Sequence, residues 1–296
     1  RGPRLMRFDF HWTDEGWQIS EVNSDVPGGF VEGSGFTELM AEHFGAEAPS
    51  GTAKAYIQAI LRSAKPEGVI AMAHATAYSD DRQVMEYLAR LIRKCDREVV
   101  QVSPVHLKWN GEGARVRSRF SEQDIAAIVR FFPADWLAKM KGWGPYLDGC
   151  GVPISNPATA LLIQSKAFPV MWDRMETDLS LWRKLLPETR TAAGLGEKVE
   201  AGWVLKPVFG RVGEGVGMVG VTPEKEMRAI LRSARSDVKN WVMQRRFRVV
   251  PVPSRWGDLY PCLGMYTIDK YAVGAYARVA HKPLTDDEAQ DIAVLF

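Results

Sequence analysis

The sequence predicts an α+β fold in which a small lobe carrying a glycine flap packs against a larger mixed α/β core. Three stretches carry that expectation. Residues 7–23 alternate apolar and polar side chains on either side of a turn signal, as a β-hairpin does. Residues 68–102 run strand, helix, strand, the βαβ unit of a parallel sheet. Residues 203–244 run strand, glycine loop, strand, helix, strand, a compact α+β lobe.

The hairpin carries the chemistry. Phe8, Phe10 and Trp12 alternate with Arg7, Asp9 and His11, the period of a strand with two unlike faces. Asp14-Glu15-Gly16 reads as a three-residue loop, with Gly16 in the left-handed conformation, and a second strand follows over 17–23. With Thr13 and Trp17 flanking that loop, Asp9 falls opposite Glu21 and Arg7 opposite Asn23. Opposed side chains share a face, with Cβ atoms about 4.5–5.5 Å apart, so the two carboxylates repel unless a cation lies between them. Asp9, Glu21 and the carbonyl of Asn23 are oxygen donors of the kind Mg²⁺ takes. A solvated face is the competing account of alternating charges on a hairpin.

Further along, residues 32–44 and 53–64 carry helical patterns, and 68–73 and 98–102 read as buried strands around a helix over 84–95. Asp80-Asp81 opens that helix, where acidic residues complement the helix dipole. Residues 107–116 form a second hairpin around Asn110-Gly111, and Ser121 is expected to cap a helix bearing Ile125, Ile128, Val129 and Phe132. Residues 158–172 are apolar and helical, interrupted by Pro169, with one conspicuous cation, Lys166.

The small lobe places Lys206 on the strand before the glycine loop and Arg211 in the loop, with a returning strand over 216–221 and a helix capped by Thr222-Pro223. These glycines do not form a dinucleotide fingerprint, because a strand follows them where a helix N-terminus is required. A flap with flanking cations suits covering a triphosphate. The basic run Arg245-Arg246-Phe247-Arg248 follows the last strand of this lobe. Residues 263–268 and 272–278 pair around Asp269-Lys270, and Thr285-Asp286-Asp287-Glu288 reads as a helix start.

Composition narrows the class. The 296 residues carry 38 basic and 36 acidic side chains, a formal charge of +2, which gives no general attraction to nucleic acid or an anionic membrane. Cys95, Cys150 and Cys262 are far apart and odd in number, which fits a reducing, cytoplasmic compartment and no disulfide framework. No apolar run approaches the ~18–20 residues that span a bilayer. A strand begins almost at the first residue, so a preceding segment is expected. Three regions follow: a mixed α/β lobe over 1–150 on the metal and substrate side, the flap-bearing lobe over 151–250, and a return to the core over 251–296.

Several motifs recur in a telling order. Arg7-x-Asp9 precedes Glu21-Val-Asn23-Ser24-Asp25-Val-Pro27; Ser165-Lys166-Ala167 precedes Met171-Trp172; then come Lys206-Pro-x-x-Gly210-Arg211, Val242-Met-Gln244 and Gly274-x-x-x-Arg278. Together, over nearly the whole chain, they resemble the synthetase part of the glutathionylspermidine synthase family within the ATP-grasp superfamily. The resemblance implies an ATP-grasp architecture with a nucleotide lobe at 151–250. It implies an ATP- and Mg²⁺-dependent ligase that joins a carboxylate, peptide-like in the family, to an amine through an acyl-phosphate, with no nucleic acid or membrane partner.

By the same resemblance Asp9, Glu21 and Asn23 hold Mg²⁺, and Arg7 and Arg211 are catalytic. Lys166, Lys206, Gly210, Gly213 and Glu214 contact ATP, and Gln244 lies near the adenine hinge. Ser24, Asp25, Asp80, Asp81 and Arg278 face the substrates, with Asp80-Asp81 standing where the family has an acidic pair that receives a polyamine. Two departures stand out: the flap reads Arg211-Val212-Gly213-Glu214 where the family has Arg-Glu-Gly, and Gly28-Gly29 follow Pro27 where hydroxyl residues are expected. The family's amidase half has no counterpart in this chain. A non-catalytic descendant that binds nucleotide or amine without ligation is the alternative.

Overall fold

The computed structural model describes residues 2–49, 51–110, 113–117, 122–148, 151–211 and 213–296. In chain order, β1 (Leu5–Thr13) and β2 (Gly16–Asn23) form the hairpin, and a π-helical turn at Glu32–Phe36 runs into α1 (Thr37–Phe44). After α2 (Thr52–Ser63) comes the βαβ unit of β3 (Val69–His74), α3 (Ser79–Arg93) and β4 (Val99–Val102). The hairpin of β5 (Leu107–Trp109) and β6 (Ala114–Arg117) leads to β7 (Glu122–Phe131). The short helices α4 (Ala134–Leu137) and α5 (Pro145–Asp148) and the strand β8 (Ile154–Ser155) follow.

Next, α6 (Leu161–Gln164), a 3₁₀ segment at Phe168–Arg174 and α7 (Ser180–Leu185) lead into the small lobe. That lobe comprises β9 (Thr189–Thr191), β10 (Trp203–Pro207), β11 (Gly217–Met218), α8 (Glu224–Ser236) and β12 (Trp241–Arg245). Finally β13 (Val252–Ser254), β14 (Gly257–Ile268), β15 (Tyr271–Ala280) and β16 (Gln290–Ile292) close the described chain.

Three sheets result. One is antiparallel, in the order β16-β15-β14-β1-β2 with β13 on β14, so the end of the chain lies beside its opening hairpin. The second, in the small lobe, is antiparallel in the order β11-β10-β12-β9. The third is mixed: β4, β3, β7 and β8 run parallel, and β6 and β5 continue it antiparallel. The main core lies between the first and third sheets, where Tyr56 and Ile60 of α2 and Met85 and Ile92 of α3 pack with Ile70, Met72 and Tyr266. A separate core under α8 joins Trp203, Leu205, Ile230, Leu231 and Trp241. This is the mixed α/β core with a small antiparallel lobe that the sequence predicts.

Several local expectations change. The segment assigned to a helix at 125–132 is the strand β7, whose Ala126-Ala127-Ile128-Val129 run is buried throughout. A strand at the centre of a parallel sheet is covered on both faces and shows a continuous apolar run, which helical spacing also fits. Ser121 itself, the turn residue Gly111 and Cys150 lie outside the described residues. The apolar 158–172 segment is broken into short helical turns, with Lys166 in the gap between them. The returning strand of the flap shrinks to β11. Thr222 does not cap α8: its hydroxyl donates to Val216 O at 3.0 Å and accepts from Met218 N at 2.9 Å, which ties the flap's return instead. No helix starts at Thr285, and the chain there turns into β16.

Candidate active site

The hairpin turn is tighter than expected. Thr13 pairs with Gly16, leaving only Asp14 and Glu15 between the strands, and Gly16 takes φ +95°. That pairing alone would shift the register by one and turn Glu21 to the other face. A bulge between Asp9 and Phe10 on one side and Ile19 and Glu21 on the other takes up Ser20, so Asp9 still pairs with Glu21 and Arg7 with Asn23. The anticipated juxtaposition therefore stands, but by a different route.

The polar face of β1 is the buried one. Arg7, Asp9 and His11 are each less than 9% exposed, whereas Trp12 on the other face is 48% exposed. Arg7 binds Asp9 through two hydrogen bonds, Nε to Oδ1 at 2.6 Å and Nη2 to Oδ2 at 2.8 Å. Arg278 on β15 reaches Asp9 Oδ2 at 3.5 Å. Gly264, opposite Asp9 on β14, makes room for this group: a Cβ there would lie 2.5 Å from the Tyr276 ring and 3.0 Å from Arg7 Cδ. The Asn23 amide sits 3.2 Å from Asp9 Oδ2 and 3.4 Å from Glu21 Oε1, so the three expected metal ligands converge.

Two lysines approach from the other side. Lys166 Nζ lies 3.1 Å from Glu21 Oε2 and donates to Gly210 O at 2.8 Å. Lys206 Nζ, on β10, donates to Gln244 Oε1 at 2.6 Å and to Ser20 O at 3.2 Å. Burial pushes the Lys206 amine down to about 8 against the pull of Glu21 and Asp9. Burial works to raise the Glu21 carboxyl, but Lys166, Lys206 and Arg7 together hold it below the usual carboxylate range. Arg7, Arg278, Lys166 and Lys206 thus face two carboxylates, an excess of positive charge that suits a polyanion.

Asp9, Glu21, Lys166, Lys206 and Arg278 line one cleft, whose walls also include Gly210, Gly213, Glu214, Val204 and Met218 of the small lobe; Arg7 and Asn23 do not line it. His11 lines it too, a residue the sequence reading placed on the right face without a role. Its Nε2 lies 3.0 Å from Ser20 Oγ, and burial, with Lys206 adding to it, pushes its pKa down to about 4. His11 is therefore neutral at pH 7 and braces the bulge residue whose carbonyl holds Lys206.

Not every anticipated residue joins the cleft. Arg211 turns outward to pair with Asp135 of α4 and lies 5.6 Å from the centre of the Trp136 ring. Ser24 and Asp25 are fully buried. Ser24 Oγ donates to Ala160 O at 2.8 Å, while Asp25 pairs with Arg130 and accepts from Ala134 N at 2.8 Å. As folded, this pair clasps the end of β2 to β7 and α4. Asp80 and Asp81 open α3 at the carboxyl end of β3, apart from the cleft, and burial raises the Asp81 pKa. Arg245 and Arg246, by contrast, do line the cleft, and each is also engaged within the lobe, by Glu188 Oε2 at 2.8 Å and Val219 O at 2.8 Å.

Two carboxylates and an amide fit a hard divalent cation that keeps positions for water and phosphate oxygens. Among the described residues no cluster of three or more His, Cys, Asp or Glu is placed to hold a metal by itself. In this structure Asp9 is held by Arg7 and Glu21 by Lys166, so a cation bound there would have to take the place of those partners.

The chain matches the glutathionylspermidine synthase preATP-grasp family over residues 3–295. No curated protein matches. Among solved structures, a gamma-glutamylcysteine synthetase-type protein of Methylobacillus flagellatus KT superposes with a TM-score of 0.55 at 13% identity, over 98% of this chain and 80% of that one. The D-alanine–D-alanine ligase of Helicobacter pylori gives a TM-score of 0.39 at 12% identity, over 71% of this chain and 74% of that one. The fold is that of ATP-grasp-type ligases.

Proposed function

The chain belongs to the glutathionylspermidine synthase preATP-grasp family, and from that premise we propose that it is an ATP- and Mg²⁺-dependent ligase joining a small-molecule carboxylate to an amine. The observation that carries the reading is the cleft in which Lys166 and Lys206 face the paired Asp9 and Glu21. Lys166 and Lys206 neutralise the β- and γ-phosphates, and the backbone of Gly210 and of Gly213 covers them. The substrate carboxylate attacks the γ-phosphorus, ADP leaves, and an acyl-phosphate forms. The amine then attacks the carbonyl, phosphate leaves, and the nitrogen loses its proton as the amide forms. Arg7 and Arg278, held beside Asp9, stabilise negative charge developing on the acyl-phosphate. Asp9, Glu21 and Asn23 would hold Mg²⁺, which would supply charge neutralisation for the phosphates. Most of the catalysis is positioning and electrostatics.

The test is phosphate release from ATP with Mg²⁺ over a panel of γ-glutamyl peptides, amino acids and polyamines. Release that needs one acid and one amine together supports ligation. Asp9→Asn is expected to lower that release by about a thousandfold or more. Because it breaks a buried pair with Arg7, it is also expected to lower stability by roughly 1–3 kcal/mol, read by denaturant titration. Undiminished release from the folded variant would refute the metal assignment.

The outward turn of Arg211 favours one second reading, a descendant that binds nucleotide or amine without ligating. Nucleotide-dependent thermal stabilisation with no phosphate release across the panel would establish it.

A further inference from the structure

We propose that Asp135 is a positioning residue for the site: it parks the Arg211 guanidinium on the far side of the flap, and phosphate in the cleft draws that group back. This deepens, and rests on, the nucleotide reading above. The flap acts as a partition. Gly210 and Glu214 line the cleft and also a second groove, which lies between α4 and α8 and contains Asp135. Arg211 follows Gly210, with its Cα about 3.8 Å away, so its long side chain starts from the wall between the two spaces. In this structure it takes the α4 side, where it pairs with Asp135 and lies 5.6 Å from the centre of the Trp136 ring.

Two features make this a resting place and not an anchor. The Arg211 and Asp135 side chains are 32% and 24% exposed, and an ion pair so open to solvent is a weak tie. The Arg211 Nε is buried and, among the described residues, has no hydrogen-bond partner, a cost that the parked position does not recover. Phosphate oxygens satisfy a guanidinium through paired hydrogen bonds, so a polyanion in the cleft offers it the better partner. A second tether leads the same way. Lys166 Nζ donates to Gly210 O at 2.8 Å, on the residue before Arg211, and phosphates in the cleft compete for that same lysine. Their arrival releases the backbone beside Arg211 as it attracts the side chain. Asp135 thus sets the fraction of chains in which Arg211 is available, and with it the apparent affinity for a polyphosphate.

The experiment is calorimetric titration of the full chain with inorganic tripolyphosphate and Mg²⁺, arranged as a double-mutant cycle. Asp135→Asn is expected to tighten binding about fivefold, Asp135→Glu to bind as the unaltered protein does, and Arg211→Met to weaken binding about tenfold. Added to Arg211→Met, Asp135→Asn is expected to change nothing, because no guanidinium remains to be released. A carboxylate acting only through its long-range field would tighten binding equally in both backgrounds, and that result overturns the proposal. So does an Asp135→Asn variant whose affinity is unaltered or weaker, and in either case the nucleotide site stands. If the unaltered protein binds neither tripolyphosphate nor ADP, the nucleotide reading fails and this inference falls with it.

Discussion

Lys206→Met is expected to weaken ATP binding by about a hundredfold without lowering stability at neutral pH. The two effects part because the amine is buried. A lysine driven down to about 8 from its ordinary 10.5 is charged at pH 7 in a place that disfavours the charge. Removing it relieves a penalty of about 3 kcal/mol, offset by the loss of roughly 1 kcal/mol for each hydrogen bond to Gln244 and Ser20. The wild-type protein carries a signature of this. Below pH 8 folded and unfolded chains both hold the Lys206 proton, and between 8 and 10.5 only the unfolded chain does. Folding then releases a proton, so this group's contribution to stability rises with pH across that window and is level below it. Denaturant titrations at pH 7 and pH 10 should show the rise in the wild type, diminished in Lys206→Met. Unaltered ATP affinity in the variant would remove Lys206 from the phosphate site.

Arg130→Met is expected to have the largest effect on folding. Arg130 and Asp25 are both wholly buried, and the guanidinium also donates to Asn156 O at 2.8 Å and Phe132 O at 2.5 Å. Deleting the cation strands the Asp25 carboxylate with the Ala134 N–H, a loss of about 3–5 kcal/mol. For a chain of this length that corresponds to a fall in Tm on the order of 10 °C. The double change Asp25→Asn with Arg130→Met should recover part of it, since no unpaired charge then remains. Nucleotide affinity of the folded fraction should be unchanged, because neither residue lines the cleft. A loss of affinity without a loss of stability would instead return Asp25 to the substrate site.

How much the sequence disclosed depended on what each residue competes with. The pairing of Asp9 with Glu21 was readable because a strand's period of two makes register visible. It was reached through a three-residue loop that does not exist; the bulge at Ser20 supplies the missing step, and no residue type announces a bulge. Burial of the polar face of β1 inverts the usual pattern, and such a violation of patterning is expected at a functional site. β7 was misread because four buried apolar residues in succession satisfy strand and helix alike. Asp25 follows the hairpin motif that the resemblance ties to a metal, yet its neighbour in space is Arg130, 105 residues away in sequence. The resemblance implies a catalytic role for the flap residue Arg211, and in this structure its guanidinium pairs with Asp135 of α4, a partner 76 residues away that no local pattern announces.

The central claim is that the hairpin carboxylates and the two lysines grip the same nucleotide from opposite walls. A crystal structure with Mg²⁺ and a non-hydrolysable ATP analogue tests it most directly. The account predicts the terminal phosphates between Lys166 and Lys206, with a cation in contact with Asp9 or Glu21. An analogue bound elsewhere, or phosphates lying away from β1 and β2, would contradict it.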